Sequence, residues 1–437
     1  MFDIDLDRHG SNIALVENGR KVDYATLEKD ISIFSKSLPQ EKQLVAFCIE
    51  PTVQNIVAYL SFIRNNHAVL MVDSGIDDDL KQALYRKYKP NFIYQNEKLI
   101  PYSKNKIEMY DELSLLLPTS GSTGSSKYVK LTKANLYANA DSICRYLPIG
   151  DKDSAITSLP LHYSYGLSVL HTHLLKGATI VLSGYSIMQK EFWELFKKES
   201  ITNLNGVPYH YEMLYRLKFD FRDYPSIRFA TQAGGKLNEK YIKHFASMAL
   251  DSDVRFYVMY GQTEATARIS YVPPDRLLSK INSIGIAILG GEISFVDEEL
   301  VYRGKNVMLG YASSDKDLAK GDELKGVLHT GDIGYMDEDG FSYIVARAKR
   351  FIKMFGNRIN LDECEHFIKS NYKDVYLVGK ENHITVFSLH DDDEVVKLLK
   401  DRYKISHKAI SLRKIDKFPT KTTGKIDYQK LYGIAYG

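Results

Sequence analysis

Cysteine is scarce in this chain: Cys48, Cys144 and Cys364 stand far apart among 437 residues. A disulfide framework or a zinc knuckle needs closely spaced or numerous cysteines, so both are excluded, and a reducing cytoplasm is the natural setting. An excess of one charge sign is also missing, because 58 Lys and Arg against 55 Asp and Glu leave +3. That balance gives no electrostatic case for nucleic acid or an anionic membrane as partner, while a nucleotide ligand stays compatible. No apolar run reaches the roughly 20 residues that a membrane span requires. The opening MFDIDLDRHGSN is acidic and polar, where a secretion signal is basic and then apolar. Internal repeats and low-complexity linkers are lacking too, so any domain movement must turn about a tight hinge. The chain therefore reads as soluble and cytoplasmic, with ample length for a sizeable core and two or three structural units.

What is present is an alternation of short β-rich runs with helical patterns between Gln43 and about Met259. LVAFCIE, AVLMV, NFIY, SLLLP, AITSLP, ATIVL and VRFYVMY read as strands. NIVAYLSFIRNN, KANLYANADSICRYL and MQKEFWELFKKES are long enough to be crossover helices, which predicts layered α/β structure with largely parallel strands. Past Glu264 the pattern shifts to short β-like segments and turns: SIGIAIL, GEISFVD, ELVYRG and MDEDGFSYIVA. From about Arg350 a helical LDECEHFIKSN, strand-like DVYLVG and HITVFSL, and a helix at DEVVKLLKDRY read as a small separate α+β domain.

Four loops could carry chemistry. In LLLPTSGSTGSSKYVKLT the hydroxyls of Thr119, Ser120, Ser122 and Thr123, the flexible backbone at Gly121 and Gly124, and the cation of Lys127 suit a polyphosphate. A Walker loop requires Gly before Lys and Ser or Thr after it, whereas Ser126 and Tyr128 flank Lys127, so that motif is rejected. A flexible polar turn is the plainer alternative. After the strand FYVMY comes YGQTEATAR, where the carboxyl ends of parallel strands gather ligands. There Tyr260 could stack on a base, Thr263 could bond a phosphate, and Glu264 could hold magnesium, which prefers oxygen ligands; otherwise Thr263 simply caps a helix. Asp332, in LHTGDIGYM, could accept both hydroxyls of a ribose or form an Asx turn. Lys425, after Gly424 in FPTKTTGKIDYQKL, is either a solvated lysine or a catalytic one on a mobile loop.

Together and in this order, these blocks resemble the adenylate-forming superfamily of acyl-CoA synthetases, peptide-synthetase adenylation domains and luciferases, over roughly Tyr24 to Tyr432. LPLHYSYGL (159–167), TQAGGKL (231–237), SIGIA and ELVYRGKNVMLGY (299–311) occupy the matching intervals. The resemblance implies an α/β fold: a large N-terminal domain, 1–348, of two α/β subdomains to about 264 and a β-rich subdomain over about 265–348, with a small mobile C-terminal α+β domain, 349–437. It implies that the 119–127 loop wraps the β- and γ-phosphates of ATP. Gly234 and Gly235 would lie in the adenine-side loop, Tyr260 would stack against adenine, Gly261 and Gln262 would also bind the nucleotide, and Thr263 would contact the α-phosphate. Glu264 would ligate Mg2+, and Asp332 would bind the ribose hydroxyls, with Arg347 close to the same ribose or phosphate. Lys425 would be the mobile catalytic lysine, Lys349 the hinge, and His162 a neighbour of the acyl pocket. The implied activity is ATP-dependent formation of an acyl-adenylate, followed by transfer to the phosphopantetheine thiol of coenzyme A or a holo acyl carrier protein.

The chain departs from the family pattern at several points. Ser126-Lys127-Tyr128 replaces Pro-Lys-Gly, Ala346 replaces a Gly before Arg347, and the stretch before the phosphate loop is short. Amino-acid-activating relatives pair an Asp with the substrate's ammonium at the position of Gly166, so an ordinary α-amino acid is disfavoured. Tyr163, Tyr165, Tyr209, His210 and Tyr211 should border the pocket and suit a small or hydroxylated acid. An amino-acid-activating ligase, an oxygenase using the adenylate, and a non-catalytic nucleotide-binding regulator are the competing readings.

Overall fold

The β-rich runs and their crossover helices form an α/β protein in a computed structural model that describes residues 6–119, 127–347, 350–354, 357–369, 372, 374–390, 393–403, 405–420 and 426–437. Two compact units emerge: Met1–Ile293 with Tyr302–Leu328, and Ser294–Val301 with His329–Gly437.

The first unit contains two sheets. One has Leu113–Pro118, Ala68–Asp73, Leu44–Ile49 and Phe92–Gln95 running parallel, edged by antiparallel Lys98–Pro101 on one side. On its other side Tyr128–Thr132 and Gly310–Ala312 add antiparallel strands. The second sheet runs Arg255–Tyr260, Phe229–Gln232, Asn203–Gly206, Ser154–Ile156, Thr179–Leu182 and Ile13–Glu17 in parallel. Ser270–Val272 and Ser283–Ala287 extend it antiparallel beyond Tyr260. One hydrophobic core joins both sheets, from Val69 and Leu115 in the first to Leu15 and Ile180 in the second. It includes the helices Val53–Arg64 and Ser164–Lys176, which are buried on nearly every face, the pattern of helices enclosed by structure on all sides. Short polar side chains set the helix starts: Thr52 accepts the Asn55 N–H, and Thr132 with Asn135 forms a reciprocal cap for Lys133–Tyr146.

Two local expectations need correction. The strand expected over AITSLP ends at Ile156, since Thr157–Pro160 leave the sheet to lead into the helix at Ser164. The α/β region also begins well before Gln43: Ile13–Glu17 pairs parallel with Thr179–Leu182, Leu15 opposite Ile180.

In the second unit Asp332–Met336, from the strand Val327–Met336, pairs antiparallel with Ser342–Arg347, Asp332 opposite Arg347. The hairpin Phe351–Met354 and Asn357–Asn360 precedes the helix Leu361–Lys369. Val375–Lys380, His383–Ser388 and Ile410–Lys414 form a sheet whose apolar side chains pack with Cys364, Ile368 and Leu399 of the adjoining helices. All three cysteines are buried and free.

Candidate active site

Parallel strands point their carboxyl ends the same way, so the segments that follow them are brought to one edge. In the first unit those segments are the ones the sequence marked: Thr119 after Pro118, His162 beyond Ile156, Gly234 and Gly235 after Gln232, and the 261–264 turn after Tyr260. Asp73, at the end of Ala68–Asp73, also arrives there, with Oδ2 3.6 Å from His162 Nε2. Burial lowers the His162 pKa against the opposing pull of Asp73, which keeps the imidazole neutral at pH 7.

The turn after Tyr260 is a single 3-10 turn, Thr263–Ala265, entered from Gln262 without a side-chain cap bond. Thr263 is therefore not the cap of an α-helix. Its hydroxyl lies 3.4 Å from Ser164 Oγ. A Cβ on Gly261 would come within 2.1 Å of the Ala267 carbonyl, so glycine is what lets the turn close. Met308 donates to the Glu264 carbonyl, and the Tyr311 hydroxyl donates to Glu264 Oε1 at 2.9 Å. The Lys127 ammonium sits 3.4 Å from the centroid of the same Tyr311 ring. Tyr311 thus links the cation that closes the hydroxyl-rich loop to the acid after Tyr260. Burial, then the Glu264 charge, raises the Tyr311 pKa, so it stays a donor. Sequence reasoning had Tyr311 only as the end of a matching block; the pairing of Gly310–Ala312 with Tyr128–Thr132, which sets it there, is a long-range contact.

Tyr163 lies against the 233–235 loop, its hydroxyl 2.5 Å from where a Cβ on Gly234 would stand, at φ +87°. Gly166 is under tighter constraint: a Cβ there would meet the Pro160 and Leu159 carbonyl oxygens at 2.3 and 2.8 Å. No side chain fits at 166 without moving backbone. Of the aromatic group, Tyr165 and Tyr211 turn inward and spend their hydroxyls on Thr231, at 2.6 Å to its Oγ1 and 2.9 Å to its carbonyl. Tyr209 is exposed. Gln232 Oε1, Gln262 Nε2 and His210 Nδ1 are buried without a hydrogen-bond partner. Buried polar atoms without a partner are rare in folded proteins, and each of these three asks for one.

Asp332 belongs to the second unit. It lies within the strand Val327–Met336, not in an Asx turn, and is 3% exposed. Arg347 occupies the facing position on Ser342–Arg347. Ser120–Ser126, Lys349 and Lys425 lie outside the described residues, so Ser120, Gly121, Ser122, Thr123, Gly124 and both lysines stand on the sequence alone.

Among the described residues no group of three or more His, Cys, Asp or Glu side chains could hold a metal ion, and no helix is long and apolar enough to cross a membrane. A single carboxylate at Glu264 fits magnesium in one manner, since this ion usually keeps waters and phosphate oxygens and takes one or two protein carboxylates.

Residues 82–312 match the family model described as AMP-binding enzyme. The chain is 28% identical to the 2-succinylbenzoate–CoA ligase of Listeria innocua over 80% of its own length and 70% of the relative's. It is 30% identical to the oxalate–CoA ligase of Arabidopsis thaliana over 58% and 52%. In fold it is similar to o-succinylbenzoate coenzyme A synthetase from Bacillus subtilis in complex with ATP and magnesium, with TM-score 0.79, 20% identity and 98% of each chain covered. It is similar too to ATP-bound MatB from Rhodopseudomonas palustris, with TM-score 0.79, 18% identity and 98% of each chain covered.

Proposed function

The chain belongs to the AMP-binding enzyme family, and on that premise we propose that it is an acid–thiol ligase that makes an acyl-adenylate from ATP and a carboxylic acid and passes the acyl group to coenzyme A. The observation that carries this reading is the Lys127–Tyr311–Glu264 assembly at the carboxyl edge of the sheets. It sets a cation and a carboxylate on either side of one phenol, directly after the hydroxyl-rich loop and the Tyr260 turn.

In the first half-reaction a carboxylate oxygen attacks the α-phosphorus and the bond to the β-phosphate oxygen breaks, so that pyrophosphate leaves with the electron pair. Two anions must meet, and positioning with positive charge is the main catalytic means available. Thr119, the 120–124 segment and Lys127 hold the β- and γ-phosphates. Tyr260 and the Gly234, Gly235, Gly261 and Gln262 backbone border the base, and Thr263 meets the α-phosphate. Asp332 and Arg347 take the ribose, and Lys425 reaches the reacting oxygens. Glu264 would hold magnesium, whose charge offsets that of the phosphates when bound. His162, neutral and buried beside Asp73, borders the acyl group. In the second half-reaction the thiol sulfur attacks the acyl carbon, the mixed-anhydride C–O bond breaks, AMP leaves, and the thiol proton passes to solvent.

The crowded carbonyls around Gly166 count against an amino-acid-activating ligase, because the Asp that would pair with an α-ammonium has no room there. Coenzyme A is the acceptor named for both curated relatives, each of which acts on an acid with two carboxyl groups. A holo carrier protein presents the same phosphopantetheine arm and is the second acceptor to assay.

The test is exchange of labelled pyrophosphate into ATP across a panel of acids without thiol, then mass spectrometry after adding coenzyme A or holo carrier protein. Acid-dependent exchange and an acyl-CoA product are expected. Exchange that ignores the acid, or acid-dependent release of ADP, would overturn the reading.

A further inference from the structure

We propose that Arg268 is a specificity-determining residue that binds a second anionic group on the acid, so that the preferred substrate is a dicarboxylic acid. This rests on the ligase reading above and deepens it. Arg268 is 3% exposed, and a guanidinium stays charged wherever it is buried. The other buried lysines and arginines among the described residues each have a carboxylate: Lys81 pairs with Asp78 at 3.3 Å and Lys130 with Glu323 at 3.0 Å. Arg268 has none. Nη1 reaches the Ala267 carbonyl at 3.3 Å and Nη2 reaches Ser168 Oγ at 3.5 Å, both long beside the 2.7–2.9 Å of a charge-assisted bond. Nε has no acceptor.

The surroundings supply aromatic faces and neutral phenols. The guanidinium carbon lies 4.4 Å from the Tyr165 ring centroid, and that hydroxyl is already taken by Thr231. Tyr146 stacks on Tyr271 at 3.9 Å, donates its hydroxyl to Met259, and offers Arg268 its phenol oxygen as a further neutral acceptor. Burial pushes the Tyr163 and Tyr165 phenols up to about 12 against the pull of Arg268, so neither supplies an anion at pH 7. A cation–π contact offsets part of the cost of the buried charge, yet a donor fork of five N–H groups is left with weak neutral acceptors and one orphan.

Arg268 also stands next to the turn proposed to meet the α-phosphate. Arg268 is the fourth residue after Glu264, and its Cα lies 2.8 Å from where a Cβ on Gly261 would stand. Its side chain meets Tyr165 and Ser168 on Ser164–Lys176, the helix that follows His162 and carries Gly166. An acid whose reacting carboxylate lies at Thr263 would bring a distal carboxylate toward this wall, where planar guanidinium and carboxylate pair bidentately.

The experiment measures kcat/KM for pyrophosphate exchange with matched pairs of acids, each a dicarboxylic acid and the monocarboxylic acid of the same skeleton, for the wild type, Arg268→Met and Arg268→Lys. The wild type is expected to favour the diacid of at least one pair by about 10²-fold or more, as removing a partner from a desolvated charge pair commonly costs. Arg268→Met should erase that ratio, chiefly through the diacid KM, and Arg268→Lys should restore part of it. A wild type that favours the monoacid in every pair, or an Arg268→Met variant that slows both members equally, overturns the proposal. Should Arg268→Met fail to fold, the wild-type ratios and the Arg268→Lys variant decide. Exchange with monoacids alone sinks this inference and leaves the ligase reading standing; no exchange with any acid sinks both.

Discussion

Glu264 and Lys127 meet through one phenol, and this separates what charge does at the site from what geometry does. Tyr311→Phe keeps the ring beneath Lys127 and removes only the donor to Glu264. Losing one neutral-donor hydrogen bond to a charged group is worth about 1.5–3 kcal/mol at most, so exchange kcat/KM should fall roughly ten- to hundredfold. Glu264→Gln removes the charge itself and should cost about 10²–10³-fold, as other preorganised electrostatic contacts do. Assays at saturating and limiting magnesium separate the two, and a Tyr311→Phe variant as impaired as Glu264→Gln would show that Tyr311 acts on more than the carboxylate. Gly166 makes a second residue-scale prediction. With carbonyl oxygens 2.3 and 2.8 Å from a Cβ, Gly166→Ala should lose about 1–3 kcal/mol in chemical denaturation, the usual cost of overpacking. A wild-type midpoint would mean that the Pro160 and Leu159 carbonyls yield to a methyl group without cost. Residues that act through their own motif, such as Thr263 and Glu264, were legible in the sequence as candidates. Tyr311, Asp73 and Arg268 were not, because each is brought in by strand pairing or helix packing between segments distant in the chain.

At the scale of elements, legibility followed apolar pattern. Leu44–Ile49, Arg255–Tyr260 and Asp393–Tyr403 stand where the sequence placed them. Asn203–Gly206 was missed, since NLNG carries no strand-like alternation although all four residues are buried. What holds it is polar: the Asn203 side chain donates to the Ser154 carbonyl and meets His173 Nε2 at 3.0 Å, and Asn205 donates to Asn203. Ser164–Lys176 was hidden for the opposite reason, because a helix buried all round shows no polar face. That helix carries His171 and His173, whose pKa values burial lowers to about 3 and about 4. His173 Nδ1 bonds the Val169 carbonyl at 2.8 Å while Nε2 faces the Asn203 amide, an arrangement of the neutral ring that protonation at Nε2 would break. Lowered folded values mean that the unfolded chain takes up these protons first. Stability is therefore fully present above about 6.5 and lost as pH falls toward the folded values, by up to about 1.4 kcal/mol per pH unit for each histidine. Urea unfolding between pH 7 and 5 should show this fall, and His171→Gln should flatten it. An unchanged slope would mean that His171 takes no part in the linkage.

For the whole molecule, the proposed function requires one lysine to serve the first half-reaction and to leave for the second. Lys349 and Lys425 lie outside the described residues, but their neighbours in the second unit are tied together. Arg350 bonds Asp362 at 2.8 Å, Glu365 at 2.6 Å and the Leu377 carbonyl at 2.7 Å, and lies 4.1 Å from the Tyr428 ring centroid. The Tyr428 hydroxyl donates to Glu365 at 2.8 Å. The residue after the proposed hinge and the residue three past the proposed catalytic lysine are thus clamped in one cluster, so a rotation at Lys349 would carry Arg350 and Tyr428 together. Lys425→Ala should lower exchange about 10²–10³-fold while leaving thioester formation from a supplied acyl-adenylate near the wild-type rate. Lys349→Pro, which fixes φ near −65°, should do the reverse: exchange retained, thioester formation slowed at least about tenfold if domain rotation gates that step. Both variants are assayed in the two half-reactions separately, by pyrophosphate exchange and by mass spectrometry of the acyl-CoA. Equal losses in both half-reactions for Lys425→Ala would mean that the lysine stays at the centre throughout. An unaffected thioester step in Lys349→Pro would move the hinge to another residue.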